Sequence, residues 1–83
     1  MDKILVSVYA LAIDEEYDMF VPINEKVVNI IALIQNTIKD LSGGYYQVNP
    51  QALLYNGVDG SIINSNNIVK FSGLKNGARL LLI

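Results

Sequence analysis

The chain has 83 residues, room for one small domain (1–83) and no second. It contains no cysteine and no histidine, which removes disulfides, the usual zinc ligands and the commonest nucleophilic and acid–base groups. Its net charge of −2, from eight acidic and six basic residues, leaves no basic stripe on which nucleic acid would bind.

Stability must then rest on apolar burial, and 52% of the residues are hydrophobic. With only 17% charged, some apolar side chains must stay at the surface of so small a body. Zero cysteine suits a reducing compartment.

The apolar opening from Ile4 to Ile13 has neither the basic flank nor the small-residue cleavage site of a signal peptide, and it is too short to span a bilayer. Ile4-Leu5-Val6-Ser7-Val8-Tyr9 is β-branched and aromatic and predicts a strand. Asp14-Glu15-Glu16 predicts a turn. Tyr17-Asp18-Met19-Phe20-Val21 predicts a second strand, with Tyr17, Met19 and Val21 on one face, paired to the first as a hairpin and ended by Pro22. The reading implies a cytoplasmic protein with no direct membrane insertion, brought to the inner membrane face only by a partner.

Asn24 is the expected N-cap of a helix, with Glu25 at the positive end of its dipole. Val27, Ile30, Ile31, Ile34, Ile38 and Leu41 recur at three- and four-residue spacing as its apolar stripe, and Asn29, Gln35, Asn36, Lys39 and Asp40 fill the other side. So many β-branched residues weaken helix propensity, so this helix needs a sheet to pack on. Ser42-Gly43-Gly44 supplies the left-handed stop.

Of the adjacent Tyr45 and Tyr46, one is expected to cap the core and the other to be exposed. Ala52-Leu53-Leu54-Tyr55 predicts a short strand that ends at the Asn56-Gly57 turn. Asp59-Gly60 is a second turn, Ser61-Ile62-Ile63 a brief edge strand, and Ile68 to Leu74 an irregular, weakly strand-like stretch. After Lys75-Asn76-Gly77, Arg79 to Ile83 predicts the last strand. The order is a hairpin, one long helix and a return of short strands. It predicts an α+β fold: a mixed four- to five-stranded sheet with one α-helix on one face.

This pattern resembles ubiquitin and its β-grasp relatives along nearly the whole chain. The resemblance lies in the opening hairpin, the helix after Pro22, Leu53-Leu54-Tyr55-Asn56-Gly57, and the ending from Leu74-Lys75-Asn76-Gly77 into Arg79-Leu80-Leu81-Leu82. Among bacterial members it looks most like the YukD/EsaB group associated with type VII secretion, through Asn76-Gly77-Ala78-Arg79-Leu80. The resemblance implies a protein partner, a component or regulator of such a secretion system. Ubiquitin-like modifiers and sulfur carriers close on a flexible Gly-Gly tail, whereas this sequence stops at Ile83. Conjugation is therefore the alternative reading, and it needs a tail beyond Ile83. A small structural subunit of an enzyme complex is another.

No enzymatic site, cofactor or metal is expected. Three adjacent carboxylates on a turn do not surround a calcium ion, and the Asn56 to Ser61 loop lacks the Lys-Ser/Thr ending of a phosphate loop. The candidate site is the outer face of the sheet. If Ile4, Val6 and Val8 point at the helix, then Leu5 points away. The same parity turns Phe20, Leu54 and Leu81 outward. In the β-grasp strand order that the resemblance implies, second, first, last, third, these four form a contiguous apolar band fit for docking a protein or for weak self-association. A one-residue slip would bury Leu5 or Leu81 and dissolve the band.

Overall fold

A computed structural model describes residues 2–83. The chain runs through β1 (Lys3–Ala10), β2 (Glu15–Pro22), α1 (Val27–Leu41), β3 (Leu54–Asn56) and β4 (Ala78–Leu82), with 3-10 turns at Leu11–Ile13 and Val69–Phe71. The four strands form one sheet in the order β2-β1-β4-β3, as the β-grasp resemblance implies. β1 pairs antiparallel with β2 and parallel with β4, and β3 pairs antiparallel with β4. This is the mixed sheet and single helix of a β-grasp.

Alternation along the hairpin builds the core. Val6, Val8 and Ala10 of β1 and Met19 and Val21 of β2 are buried under α1. The reversal differs from the predicted acidic turn. Leu11–Ile13 forms the 3-10 turn and Asp14, at φ 52°, turns the chain, a left-handed conformation that Asp tolerates better than most residues. Glu15 and Glu16 already belong to β2, opposite Ala10 and Tyr9.

On α1, Val27, Ile30, Ile31, Ile34 and Ile38 are buried as the stripe predicts. Each such side chain stabilises the fold by about 1.5–3 kcal/mol on burial. That outweighs the few tenths of a kcal/mol lost per residue to poor helix propensity. Leu41, assigned to the stripe, is exposed, and Gln35, assigned to the outer side, is buried.

The helix start also differs. Asn24 does not cap it, and the N-cap position is Lys26, with no side-chain cap. Residues 23–26 are instead drawn out by a strap of the later chain. Lys26 bridges Ile68, and the amides of Val69 and Lys70 donate to the carbonyls of Glu25 and Ile23. In return the carbonyls of Asn67 and Ser65 accept the first helical N–H groups, from Val27 and Val28. These bonds satisfy the amides a side-chain cap would otherwise serve.

The helix ends as predicted: Gly43 and Gly44 have positive φ, and their amides donate back to Asp40 and Lys39. Of the two tyrosines, Tyr46 is buried and Tyr45 exposed. Ser61-Ile62-Ile63 makes only the single bridge Tyr55–Ile62, and the irregular stretch resolves into the second 3-10 turn.

Candidate functional site: the uncovered sheet face

The helix covers one face of the sheet and leaves the other bare. On β1 the bare face carries Lys3, Leu5, Ser7 and Tyr9, alternating with the buried valines. The pairing register then fixes which side chains lie side by side. Phe20 sits opposite Leu5, and the amide of Gly77 donates to the Leu5 carbonyl at 2.7 Å. The next outward row is Asp18–Ser7–Arg79, and the one after it is Glu16–Tyr9–Leu81–Tyr55.

Three of the four expected residues lie on this face. Leu5 and Phe20 are 36% and 57% exposed, and Leu81 is half-buried. Leu54 is not among them. It is 0% exposed and belongs to the core, so a docking role for its side chain is ruled out. The cause is parity: Tyr55 pairs with the outward Leu81, which turns Leu54 and its partner Leu82 toward the helix. The single band is also corrected. Leu81 lies beside Tyr9 and not beside Leu5, so the apolar surface splits into a Phe20–Leu5 pair and a Tyr9–Leu81–Tyr55 row. The charged row of Asp18 and Arg79 runs between them. The alternation of β1 marks Tyr9 as outward, whereas Tyr55 is identified only by the register.

Lys3 completes the first cluster, its Nζ lying 4.9 Å from the centroid of the Phe20 ring, within the range of a cation–π contact. At the opposite end the Tyr9 hydroxyl donates to the Asp14 carboxylate. That hydrogen bond, then burial, then the negative charge of Asp14 hold the phenol above its usual pKa of 10.0. The acidic run is therefore dispersed: Asp14 engages Tyr9, Glu16 extends the Tyr9 row, and Glu15 falls on the alternate parity. Among the described residues no cluster of three or more carboxylate, His or Cys groups is arranged to hold a metal ion.

A concavity of about 320 Å³ runs beside α1, lined by Val28, Ile31, Ala32, Gln35, Val48 and Leu53 among others. The polar atoms of Gln35 are already engaged. Oε1 accepts from the Tyr46 hydroxyl at 2.8 Å and the Asn49 amide at 2.7 Å, and Nε2 donates to the Asn49 carbonyl at 3.0 Å. The glutamine thus ties the 45–50 loop to the helix.

No protein-family model matches the chain, and no curated protein matches it as a relative. Solved structures do. Ubiquitin of Caldiarchaeum subterraneum aligns over 98% of this chain and 91% of its own, with a TM-score of 0.72 and 13% identity. The EccD5 ubiquitin-like domain from Mycobacterium xenopi aligns over 100% and 94%, with a TM-score of 0.72 and 16% identity. A chain of the MycP5-free ESX-5 inner membrane complex matches over 100% of this chain and 21% of its own, at a TM-score of 0.72 and 15% identity. At these identities the likeness establishes the fold: the chain is a ubiquitin-like β-grasp.

Proposed function

We propose that the protein is a non-covalent interaction module, without catalytic activity of its own, that docks a protein partner through the bare sheet face. The observation that carries this reading is the exposure of Phe20 and Leu5, side by side on a face that no other layer covers. A one-sided sheet normally turns polar residues to water. Here the exposed aromatic ring and the Tyr9–Leu81–Tyr55 row offer the anchor types that dominate protein interfaces.

The partner is a component or regulator of a type VII secretion apparatus. Support for that step comes from the structural likeness to the EccD5 ubiquitin-like domain and the ESX-5 complex chain, together with the Asn76-Gly77-Ala78-Arg79-Leu80 ending. Among the described residues no helix is long and apolar enough to cross a membrane. Any place at a membrane would follow from the partner.

The test is a pull-down of N-terminally tagged protein from its host, eluted first natively and then with denaturant, beside a Phe20→Glu/Leu81→Glu variant. Both positions lie outside the core, so the variant should retain the parent's circular dichroism. Secretion components released by denaturant and absent from the variant eluate are the expected outcome. A heavier tagged species that survives denaturation would mean covalent attachment and defeat the proposal. Equal capture by parent and variant would remove the sheet face from it.

A further inference from the structure

Two of the three outward rows are complementary about β1. In the first, Phe20 projects on one side of Leu5, and Gly77 on the other side carries no side chain. The space where its Cβ would stand is open, with nothing within 4 Å. In the second, an acid (Asp18) and a base (Arg79) flank Ser7, both exposed. Neighbouring strands lie about 4.8 Å apart, so these two groups are rooted about 10 Å from each other. The third row lacks this match, with Glu16 on one side of Tyr9 and Leu81 on the other.

We propose that this face seats a second copy of the chain, about a two-fold axis that runs along β1. Rotation about that axis exchanges the β2 side of one copy with the β4 side of the other. Asp18 of each copy then meets Arg79 of its partner, giving two ion pairs. Phe20 of each copy enters the gap over Gly77 of the other. Leu5, Ser7 and Tyr9, on the axis, meet their own counterparts. Isologous interfaces require this kind of self-complementarity, and face-to-face sheets keep their strands within about 30° of each other, which an axis along β1 satisfies. The operation also brings together the two Lys3 residues, at the rim of the face, where each ammonium already rests over its own Phe20 ring.

The face is small. With the axis on β1 only β2, β1 and β4 overlap, since β3 has no counterpart beyond β2. Three strands at about 4.8 Å spacing and six residues at about 3.3 Å rise give roughly 300 Å² per copy. That is well under half of the roughly 800 Å² per partner in a standard interface. The dimer is accordingly weak, with a dissociation constant on the order of 0.1 mM. A protein partner on the same face would displace the second copy.

Sedimentation equilibrium up to about 1 mM on the parent, Asp18→Arg and Arg79→Asp tests this arrangement. Either substitution alone sets like charges against each other twice per dimer and should weaken association roughly tenfold. An equimolar mixture of the two variants should recover it, because each introduced charge then faces its opposite. A parent that stays monomeric throughout overturns the proposal. So does association that neither variant weakens, or that the mixture fails to restore. The pull-down reads a foreign partner independently: capture lost in Phe20→Glu/Leu81→Glu but retained by a monomeric parent would sink the dimer and leave the docking module standing.

Discussion

The two faces of the sheet are made from the same strands and answer to different constraints. Along β1, Val6, Val8 and Ala10 have no exposed surface, whereas Leu5, Ser7 and Tyr9 between them mix aliphatic, hydroxyl and aromatic groups. The inner face must fill a closed volume against α1 near native packing density, so it admits only apolar side chains, the valines and Ala10 of β1 beside Met19, Leu54, Leu80 and Leu82. No such demand acts on the outer face. Its mixture of Phe20, Leu5 and Tyr9 with Asp18, Glu16 and Arg79 is therefore free to record what the protein touches, and function should be sought there.

The sharpest way to break this comparison uses two adjacent leucines of β4. Leu82 is buried and Leu81 faces outward, so strand propensity and residue type cancel between them. Leu82→Ala should cost roughly 2–5 kcal/mol in chemical denaturation, as core truncations do, and Leu81→Ala less than about 1 kcal/mol. Equal losses would mean that the outer face is packed as the inner one is.

Next in size is the contact between α1 and the 45–50 loop. Gln35→Leu would leave the buried Tyr46 hydroxyl and the Asn49 amide without their shared acceptor. The expected loss is about 1–3 kcal/mol, the cost of an unsatisfied buried polar group. Thermal unfolding checks it, and a neutral result would remove the glutamine as the loop's anchor. Gly57→Ala should fall in the same range. Its Cβ would stand 3.1 Å from the Arg79 carbonyl oxygen, and such overpacking costs about 1–3 kcal/mol where β4 cannot yield.

The helix stripe, the opening hairpin and the glycine stop were readable because each rests on a repeating or local signal: 3.6-residue periodicity over four turns, two strand runs with a short link, a Gly-Gly pair. The strand order followed only from the β-grasp resemblance. Leu54 was not readable. β3 holds three residues, and the run Ala52-Leu53-Leu54-Tyr55 is apolar throughout, so no alternation reveals its parity. Parity there is set by long-range pairing: the Leu53 and Ile83 amides exchange bonds with each other's carbonyls, and the Gly57 amide donates to the Arg79 carbonyl. The break in the apolar band was hidden for the same reason, since only the β1–β4 register puts Leu81 beside Tyr9. The helix start and the burial of Gln35 depend on partners supplied by residues 65–70 and by Tyr46 and Asn49, too far along the chain for a local pattern to announce.

The smallest effect tests the outer face in isolation. Tyr9 lies on that face, yet its hydroxyl is committed to Asp14, the residue that turns the hairpin. The hydrogen bond and, with it, burial and the nearby carboxylate raise the phenol pKa in the folded protein. The folded state therefore keeps this proton at a pH where the unfolded chain has released it. The resulting stabilisation is complete below the unfolded value of 10.0 and is lost as pH rises through the raised folded value. Tyr9→Phe removes that dependence and leaves the raised value of Tyr46, which comes from burial. Stability measured in a series from neutral pH upward should fall less steeply past 10 in the variant than in the parent. The tyrosine absorbance titration should also lose one late-ionising phenol. Parallel curves would mean that Tyr9 is free of Asp14, available with its hydroxyl to whatever docks on the face.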